Sequence, residues 1–453
     1  MKIIIAGIGR IGYSIAAELS KEKHDLTAIE IDPKIVEEIS DTLDVITIVG
    51  NAVNYDILKT AGVEKADLLI AVTNADETNL LICLTAKKLG VKRTIARVRN
   101  MEFYRQATFL GEELGLSLLI NPEESTANEI SHMLRFPAAS KVEPFAHGRA
   151  ESVELPIMED SPLNGLTLNR FHDKITEKIL VCAVARGNEV FIPKGDFTLR
   201  TGDKVNIIGA YKEINRFLDK VFGKKRTIKN VMILGGGKTA YYLANQIVNA
   251  GINLKVIERD KNICSEMKLA LPKVCFTLGD GTRYDVLNEE GLASADAFVA
   301  LTGDDEVNAI TSMYAESLGV KKVVAKINES HIVKMLANRQ VVNIVRTSSV
   351  ATQRIVSYVR SMQNAYDSSV EALYFIFDGR VETLEFRLSG VFPYYGIPLK
   401  RLRFGYDTLI SSIIRKGKCI IPGGEESILP GDNVIVTTSR SGVESLEELM
   451  ERI

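Results

Sequence analysis

The 453-residue chain has little of what usually carries reaction chemistry. Its five cysteines, Cys83, Cys182, Cys264, Cys275 and Cys419, form no CxxC pair and show no metal-ligand spacing. A disulfide framework and a zinc site are both excluded by that pattern, and buried free thiols in a reducing cytoplasm are expected instead. No apolar run approaches the roughly 20 residues of a membrane-spanning helix; the longest are strand-sized, such as Ile3–Ala6 and Val231–Leu234. The opening, Met1-Lys2 followed at once by a strand and a glycine turn, does not read as a signal peptide. A formal net charge of −2 gives no argument for nucleic acid as a partner. With 46% hydrophobic and 25% charged residues, the composition is that of a soluble globular protein.

What the chain does have is a repeat. The segment KIIIAGIGRIGYSIAAEL from Lys2 matches NVMILGGGKTAYYLANQI from Asn230, and LTAIEID ending at Asp32 matches LKVIERD ending at Asp260. Gly7 recurs as Gly235 and Glu30 as Glu258, an offset of 228 residues; Thr73 recurs as Thr302 and Pro193 as Pro422, an offset of 229. Gly202-Asp203 likewise recurs as Gly431-Asp432. A unit of this length is too long for a solenoid and implies a duplicated gene.

In each copy, strands first alternate with helices. Strands are expected at Lys2–Ala6, Leu26–Glu30, Thr47–Val49, Leu68–Thr73, Arg93–Val98 and Ser117–Ile120, with helices such as Arg10–Leu19 and Glu77–Leu89 between them. That order predicts a Rossmann-like, doubly wound parallel sheet. Shorter strands then follow at Lys178–Ala185, Asn188–Ile192 and Lys204–Gly209, with a helix at Lys212–Val221, which suggests a small α+β subdomain. Four domains are expected: N1 over 1–138, C1 over 139–224, N2 over 225–366 and C2 over 367–453. Lys224-Lys225-Arg226 at the join reads as a solvated linker.

The nucleotide signature sits where such a fold needs it. Gly7-x-Gly9-x-x-Gly12 follows a strand and opens a helix. Gly7 permits the tight turn, Gly9 lets a pyrophosphate approach the backbone, and Gly12 lets the helix close on the sheet; Ile8 and Ile11 complete the loop. Glu30 ends the second strand, where a carboxylate holds both ribose hydroxyls and repels a 2′-phosphate, so NAD(H) or another unphosphorylated adenosine is favoured over NADP(H). Asp32 is either a further contact or a helix cap before Pro33. Arg10, inside the loop, reaches terminal phosphates or makes a surface ion pair. Gly50-Asn51-Ala52 is placed at the adenine edge, Thr73-Asn74-Ala75-Asp76 follows the fourth strand, and Arg97 ends the fifth facing the same crevice. Asn79 reads equally as a loop tether and a ligand group. The second copy offers Gly235, Gly236, Gly237, Lys238, Thr239, Ala240, Glu258, Asp280, Gly281, Thr302, Gly303 and Lys326. Two arginines have become lysines, which removes fork-like phosphate donors, so the two sites are expected to differ in affinity or ligand.

A dehydrogenase reading lacks its acid/base residue. None of His24, His132, His147, His172 and His331 lands on another histidine when shifted by the repeat offset. His24 falls in a helix-to-strand turn at the wrong end of the sheet, and the others read as surface or capping residues. With no nucleophile motif and no His/Asp metal cluster, no catalytic residue and no metal ligand are assigned. An NAD-dependent oxidoreductase stays as the alternative, predicting a substrate-dependent change at the nicotinamide absorbance.

The strand–GxGRxG–helix of Ile3–Leu19, the IEID ending, the GNA and GDGT turns and AVTNADETNLL together resemble the regulator-of-potassium-conductance (RCK) domain. SPLNGLTLNRF and VFIPKGDFTLRTGDKVNIIG resemble its C-terminal subdomain. The duplicated order is similar to the TrkA family, the cytoplasmic subunits of the Trk potassium uptake system. The resemblance implies a regulatory homo-oligomer, a tetrameric ring on the inner face of the cell membrane beneath a separate potassium-transporting protein. Binding of NAD(H), or of ATP against ADP, would shift the ring and gate the pore. It further implies that Gly7, Gly9, Gly12, Glu30, Asp32, Asn51 and their second-copy counterparts touch ligand, with Arg10 sensing terminal phosphates. The chain departs from that pattern at Lys238 and Ala240. A regulator of a different channel or transporter is the other alternative.

Overall fold

The first strand, Lys-Ile-Ile-Ile-Ala, is buried along all but its first residue, as a strand covered by helices on both sides must be. The computed structural model that shows this describes residues 1–450 except 23, 112–113, 224–227, 249–250, 337–341, 364–368, 378, 389, 406 and 444. The chain gathers into two units, 1–126 with 346–356, and 127–345 with 357–453.

The first sheet contains β1 (Lys2–Ala6), β2 (Asp25–Glu30), β3 (Ile46–Val49), β4 (Leu68–Ala71), β5 (Arg93–Arg97) and β6 (Leu118–Ile120). Between and after them come α1 (Arg10–Leu19), α2 (Pro33–Thr42), α3 (Tyr55–Thr60), α4 (Asp76–Lys88), α5 (Met101–Phe109) and α6 (Pro122–Arg135). All strands are parallel, in the order β3-β2-β1-β4-β5-β6. Strand order reverses between β1 and β4, and the carboxyl ends there open the crevice where such sheets take ligands. Local chemistry sets the helix starts. Asp32 and Asn54 each accept a hydrogen bond from the backbone N–H two residues on, and Pro33 fills the first helical position of α2.

The first C-unit is antiparallel: β7 (Lys141–Phe145), β8 (Ala150–Pro156), β9 (Ile179–Arg186), β10 (Glu189–Phe191) and β11 (Lys204–Gly209) in the order β10-β9-β11-β8-β7, with α7 (Phe171–Lys174) and α8 (Tyr211–Phe222). The repeated Gly-Asp turn has a structural reason. Asp203 is buried, accepts from the Arg200 N–H, and meets Arg186 at 2.8 Å; Asp432 meets Arg415 in the same way at 2.8 Å.

The second copy repeats both sheets. β12 (Asn230–Leu234), β13 (Asn253–Glu258), β14 (Cys275–Leu278), β15 (Ala297–Ala300), β16 (Lys322–Lys326) and β17 (Val342–Val345) run in the order β14-β13-β12-β15-β16-β17. Their helices are α9 (Lys238–Ile247), α10 (Lys261–Ala270), α11 (Tyr284–Glu289), α12 (Asp305–Ser317), α13 (Ser330–Leu336) and α14 (Thr347–Gln363). The last sheet holds β18 (Ser369–Ile376), β19 (Val381–Arg387), β20 (Thr408–Arg415), β21 (Lys418–Ile420) and β22 (Asn433–Thr438), ordered β18-β19-β22-β20-β21. The two antiparallel sheets pack on each other: Phe145, Cys182 and Ile208 share an apolar cluster with Ile414 and Ile435, and Ala183 and Ala185 one with Ile376, Phe377 and Val381. Glu385 accepts from the Ala146 N–H at 2.9 Å across that contact. No described helix is long and apolar enough to cross a membrane.

Three expectations need correction. Strand β4 stops at Ala71, two residues short, because Thr73 is drawn into side-chain bonds described below. Strands β7, β8, β18 and β19 were not anticipated; β8 reads Ala-Glu-Ser-Val-Glu-Leu-Pro, and its carboxylates, which suggest an exposed strand, are buried. Only Cys83 and Cys182 are buried, whereas Cys264 and Cys419 are half-buried and Cys275, opening the edge strand β14, is exposed. Lys224-Lys225-Arg226 and the side chains of His147 and His172 lie outside the described residues.

Candidate nucleotide site

In the first N-unit Gly7 has φ +90°, a left-handed conformation suited to glycine, and a Cβ there would sit 2.8 Å from the Thr73 backbone. A Cβ on Gly12 would lie 2.1 Å from the Gly7 carbonyl oxygen, so the helix and turn touch without room for a methyl group. Gly9 is different. Its Cβ direction is open for 4 Å, and it forms the amino end of α1 with no side chain capping it. A helix start that is uncapped, bare of acidic residues and open to approach presents backbone N–H groups and positive dipole to an anion. Arg10 follows at once, and Ile8 and Ile11 flank the turn.

Glu30 faces this loop. Its Oε2 accepts from the Ile8 N–H at 2.6 Å, and its Oε1 from the Ile31 and Asp32 N–H groups at 2.7 and 3.2 Å. The carboxylate is thus fixed at the carboxyl end of β2, with one lone pair, on Oε2, left for a ribose hydroxyl. Asp32, by contrast, is a helix cap accepting from Lys34. Asn51 holds a turn through Val53, and Ala52 is buried beside it.

The far wall hangs on Asn79. Fully buried, its Oδ1 accepts from the Thr73 N–H and hydroxyl at 2.8 and 2.7 Å, and its Nδ2 donates to the carbonyls of Thr73 and Arg97 at 3.2 and 2.9 Å. Asn79 is therefore a tether between the ends of β4 and β5. Asp76, buried at the start of α4, accepts from the Arg99 and Asn100 N–H groups at 2.9 and 2.7 Å and ties down the chain after β5. Asn74 and Ala75 form the exposed bend between these anchors. Arg97 is 8% exposed, and its Nε and Nη2 have no hydrogen-bond partner. Burial, then the charge of Arg99, depresses its pKa, while Glu123 and Asp76 oppose that. Arg99 and Glu123, which meet at 2.6 Å, are charged neighbours of Arg97 that the sequence reading did not single out. The signal for Arg99 was the alternation Arg97-Val98-Arg99 at a strand end.

The second N-unit rebuilds this frame. Gly235 has φ +98°, Gly237 opens α9 uncapped with open space at its Cβ, and Glu258 accepts from the Gly236 and Asp260 N–H groups at 2.5 and 2.8 Å. Asn308 accepts from the Thr302 N–H and hydroxyl and donates to the Thr302 and Lys326 carbonyls. Asp305 binds the Asn328 and Glu329 N–H groups. Ala240 and Thr239 are buried, and Lys238 and Gly303 are exposed beside the loop. Asp280 accepts from Thr282 rather than pointing free, and Gly281 leaves no space for a Cβ against Leu234. Lys326 ends β16 with its ammonium 3.4 Å from the Leu301 carbonyl.

The TrkA-N domain family model matches residues 3–122 and again 231–347, and the TrkA-C domain model matches 153–221 and 393–451. The chain belongs to the TrkA family. A Trk system potassium uptake protein TrkA homolog of Archaeoglobus fulgidus is 32% identical over 449 residues, covering 99% of this chain and 100% of that one. The Trk system potassium uptake protein TrkA of Haemophilus influenzae is 27% identical, covering 100% and 99%. Among solved structures, the GsuK RCK domain overlays with a TM-score of 0.63 at 16% identity, over 96% of this chain and 92% of that one. The GsuK channel bound to NAD gives 0.63 at 17% identity, over 96% and 76%. Both likenesses concern the fold, which is the tandem, Rossmann-like RCK arrangement expected from the sequence. In TrkA terms, the two TrkA-N matches are the units carrying the two loops.

Proposed function

We propose that this chain is the regulatory, cytoplasmic subunit of a Trk-type potassium uptake system and that each N-unit binds an adenine nucleotide. The observation that carries the reading is the pairing, in both copies, of an uncapped, open helix start with a carboxylate fixed at the end of the second strand. That pair suits a pyrophosphate and a ribose hydroxyl respectively. NAD(H) fits both sites. ATP or ADP fits the first, where Arg10 and the buried, unpartnered Arg97 nitrogens are the cations for a terminal phosphate. The relatives are named as Trk potassium uptake proteins, which supports a membrane potassium transporter as partner.

Assembly into a ring is supported by Leu81 and Leu84, exposed one helical turn apart on α4, and by exposed Ile310, which stands on α12 where Leu81 stands on α4. Exposed aliphatic groups on a regular helix face mark association surfaces. The four sheets are read as the four domains, N1, C1, N2 and C2.

Nucleotide gates only if it binds two ring shapes differently. The test is potassium flux in vesicles holding the transporter and this subunit, with and without NADH, ATP and ADP. Flux that changes with nucleotide, and that loses the change in Glu30→Ala, supports the proposal. Flux indifferent to every nucleotide overturns it, and substrate-dependent NADH oxidation by the purified chain would point to a dehydrogenase instead.

A further inference from the structure

Glu151 of β8 and Glu382 of β19 occupy the same place in the two C-units, opposite Gly209 and Thr438. Both are buried, at 3% and 2% exposure, on the strand face that carries Val153 and Leu384 into their cores. Glu382 has a buried partner, the Arg360 guanidinium of α14 at 2.9 Å. Glu151 has none among the described residues: its Oε2 is shut off from solvent and makes no hydrogen bond.

Among the described residues, the charges that act on Glu151 are those of Arg135 and Glu143, each with its own neighbours. From α6 comes Arg135, exposed and lying 5.1 Å over the Tyr211 ring of α8, and half-buried His132, kept below the usual imidazole range by burial and by Arg135. From β7 come Glu143 and Lys141, which pair with each other at 3.0 Å. Glu213 of α8 turns to Arg216 and to the Lys178 N–H, and β11 places glycine opposite. An unpartnered carboxylate in such a setting is costly to ionise. Burial pushes Glu151 up to about 7, with Arg135 pulling the other way and Glu143 adding to the rise.

We propose that the first C-unit carries a proton-operated contact at Glu151, which the second has replaced with a permanent ion pair. Protonated, Glu151 is a neutral buried group on the strand whose Val153 shares a core with Phe136, the residue that follows α6. When it releases its proton to solvent, a charge is left buried on β8, Arg135 is pulled away from the Tyr211 ring toward it, and the packing of Phe136 at the end of α6 loosens because that charge must reach water. Along the chain, α6 is the segment that leads from the first nucleotide-binding unit into the first C-unit, so the contact stands on that covalent path. The proposal does not depend on nucleotide binding.

The sign follows from linkage. A carboxyl whose folded pKa is raised above its unfolded value stabilises at low pH, and that stability is lost as pH rises through the folded value. Hydrogen exchange of the full chain, corrected for intrinsic rates, should show protection of 127–135 and 150–156 falling between pH ~5 and ~7, by up to about tenfold per pH unit. Glu129 of α6 is also raised to about 7, by burial first and then by Glu143, so the readout is the difference between parent and variant. Glu151→Gln should remove that part of the slope and stay protected at pH 8, while Glu382→Gln should leave the slope in place. Arg135→Ala should move the loss of protection to higher pH with the fold intact. An unchanged slope in Glu151→Gln, or no movement in Arg135→Ala, overturns the proposal.

Discussion

Strand β5 of the first N-unit ends at Arg97; Val98 and Arg99 follow it, and Arg99 meets Glu123 three residues after β6. Strand β16 of the second ends at Lys326; Ile327 and Asn328 follow it, and Ser348 follows β17 at the same distance. The helix-opening loops differ likewise, Arg10 and Gly12 against Lys238 and Ala240. What stays constant is buried and bonded to backbone: Asn79 and Asn308 with four hydrogen bonds each, and Asp76 and Asp305 tying the next loop. Duplication has kept the groups that hold the crevice open and changed the cations that would read what enters it. If the two sites select different ligands, as proposed, these long, charged side chains at strand and helix ends are where substitution changes the site and leaves the frame standing.

The largest effect should come from that shared frame. Asn79→Ala and Asn308→Ala each leave several buried backbone groups unpaired, at ~1–3 kcal/mol per orphaned group. Both should lower stability by a similar few kcal/mol and abolish binding at their own site, measured by thermal unfolding and calorimetry. A mild effect in one copy would break the claim that the frames are equivalent. Next is Gly12→Ala, whose methyl would overlap the Gly7 carbonyl. It should cost ~1–3 kcal/mol and weaken the first site, whereas Ala240→Gly, in a loop already spaced for a methyl, should cost no more than ~1 kcal/mol.

The cations give a third comparison. Arg97→Lys should cut ATP affinity at the first site about tenfold, ~1.4 kcal/mol, with NADH affected less, and Lys326→Arg should narrow the gap between sites. Equal nucleotide preferences before and after would show that these residues do not read phosphate. The smallest effect is a pH slope. Lys322, buried at the start of β16 and donating to the Ala139 carbonyl, is pushed by burial down to about 7. A lysine so depressed costs stability wherever it is charged only in the unfolded chain's favour, so stability should rise from pH ~7 toward ~10, at most ~1.4 kcal/mol per unit. Lys322→Met should flatten that rise, and the equivalent Arg93, half-buried, should show none.

Much of this was legible beforehand because it rests on period and spacing. Helix α1 begins and ends where its pattern does, at Arg10 and Leu19, and β1 and β11 match their expected bounds. Glycine positions announced the turn, and an acidic residue two dozen places on announced the carboxylate. Asn79 stayed ambiguous because an asparagine six residues beyond a threonine does not say whether its amide points to backbone or ligand; burial among four partners decides it. β8 and β19 were invisible because Glu151, Glu154, Glu382 and Glu385 break the apolar alternation that marks a strand, and they are buried only because tertiary neighbours surround them. Asp32 read as a cap or a contact, and the cap bond to Lys34 is what the structure shows.

The face-to-face packing of the two antiparallel sheets has a consequence for assembly. Partners on separate chains must find each other at whatever concentration the cell supplies. Here they are joined by one polypeptide, and a tether of this kind sets a local concentration on the order of millimolar regardless of expression level. The paired C-units therefore stay together on dilution and form a built-in two-part body.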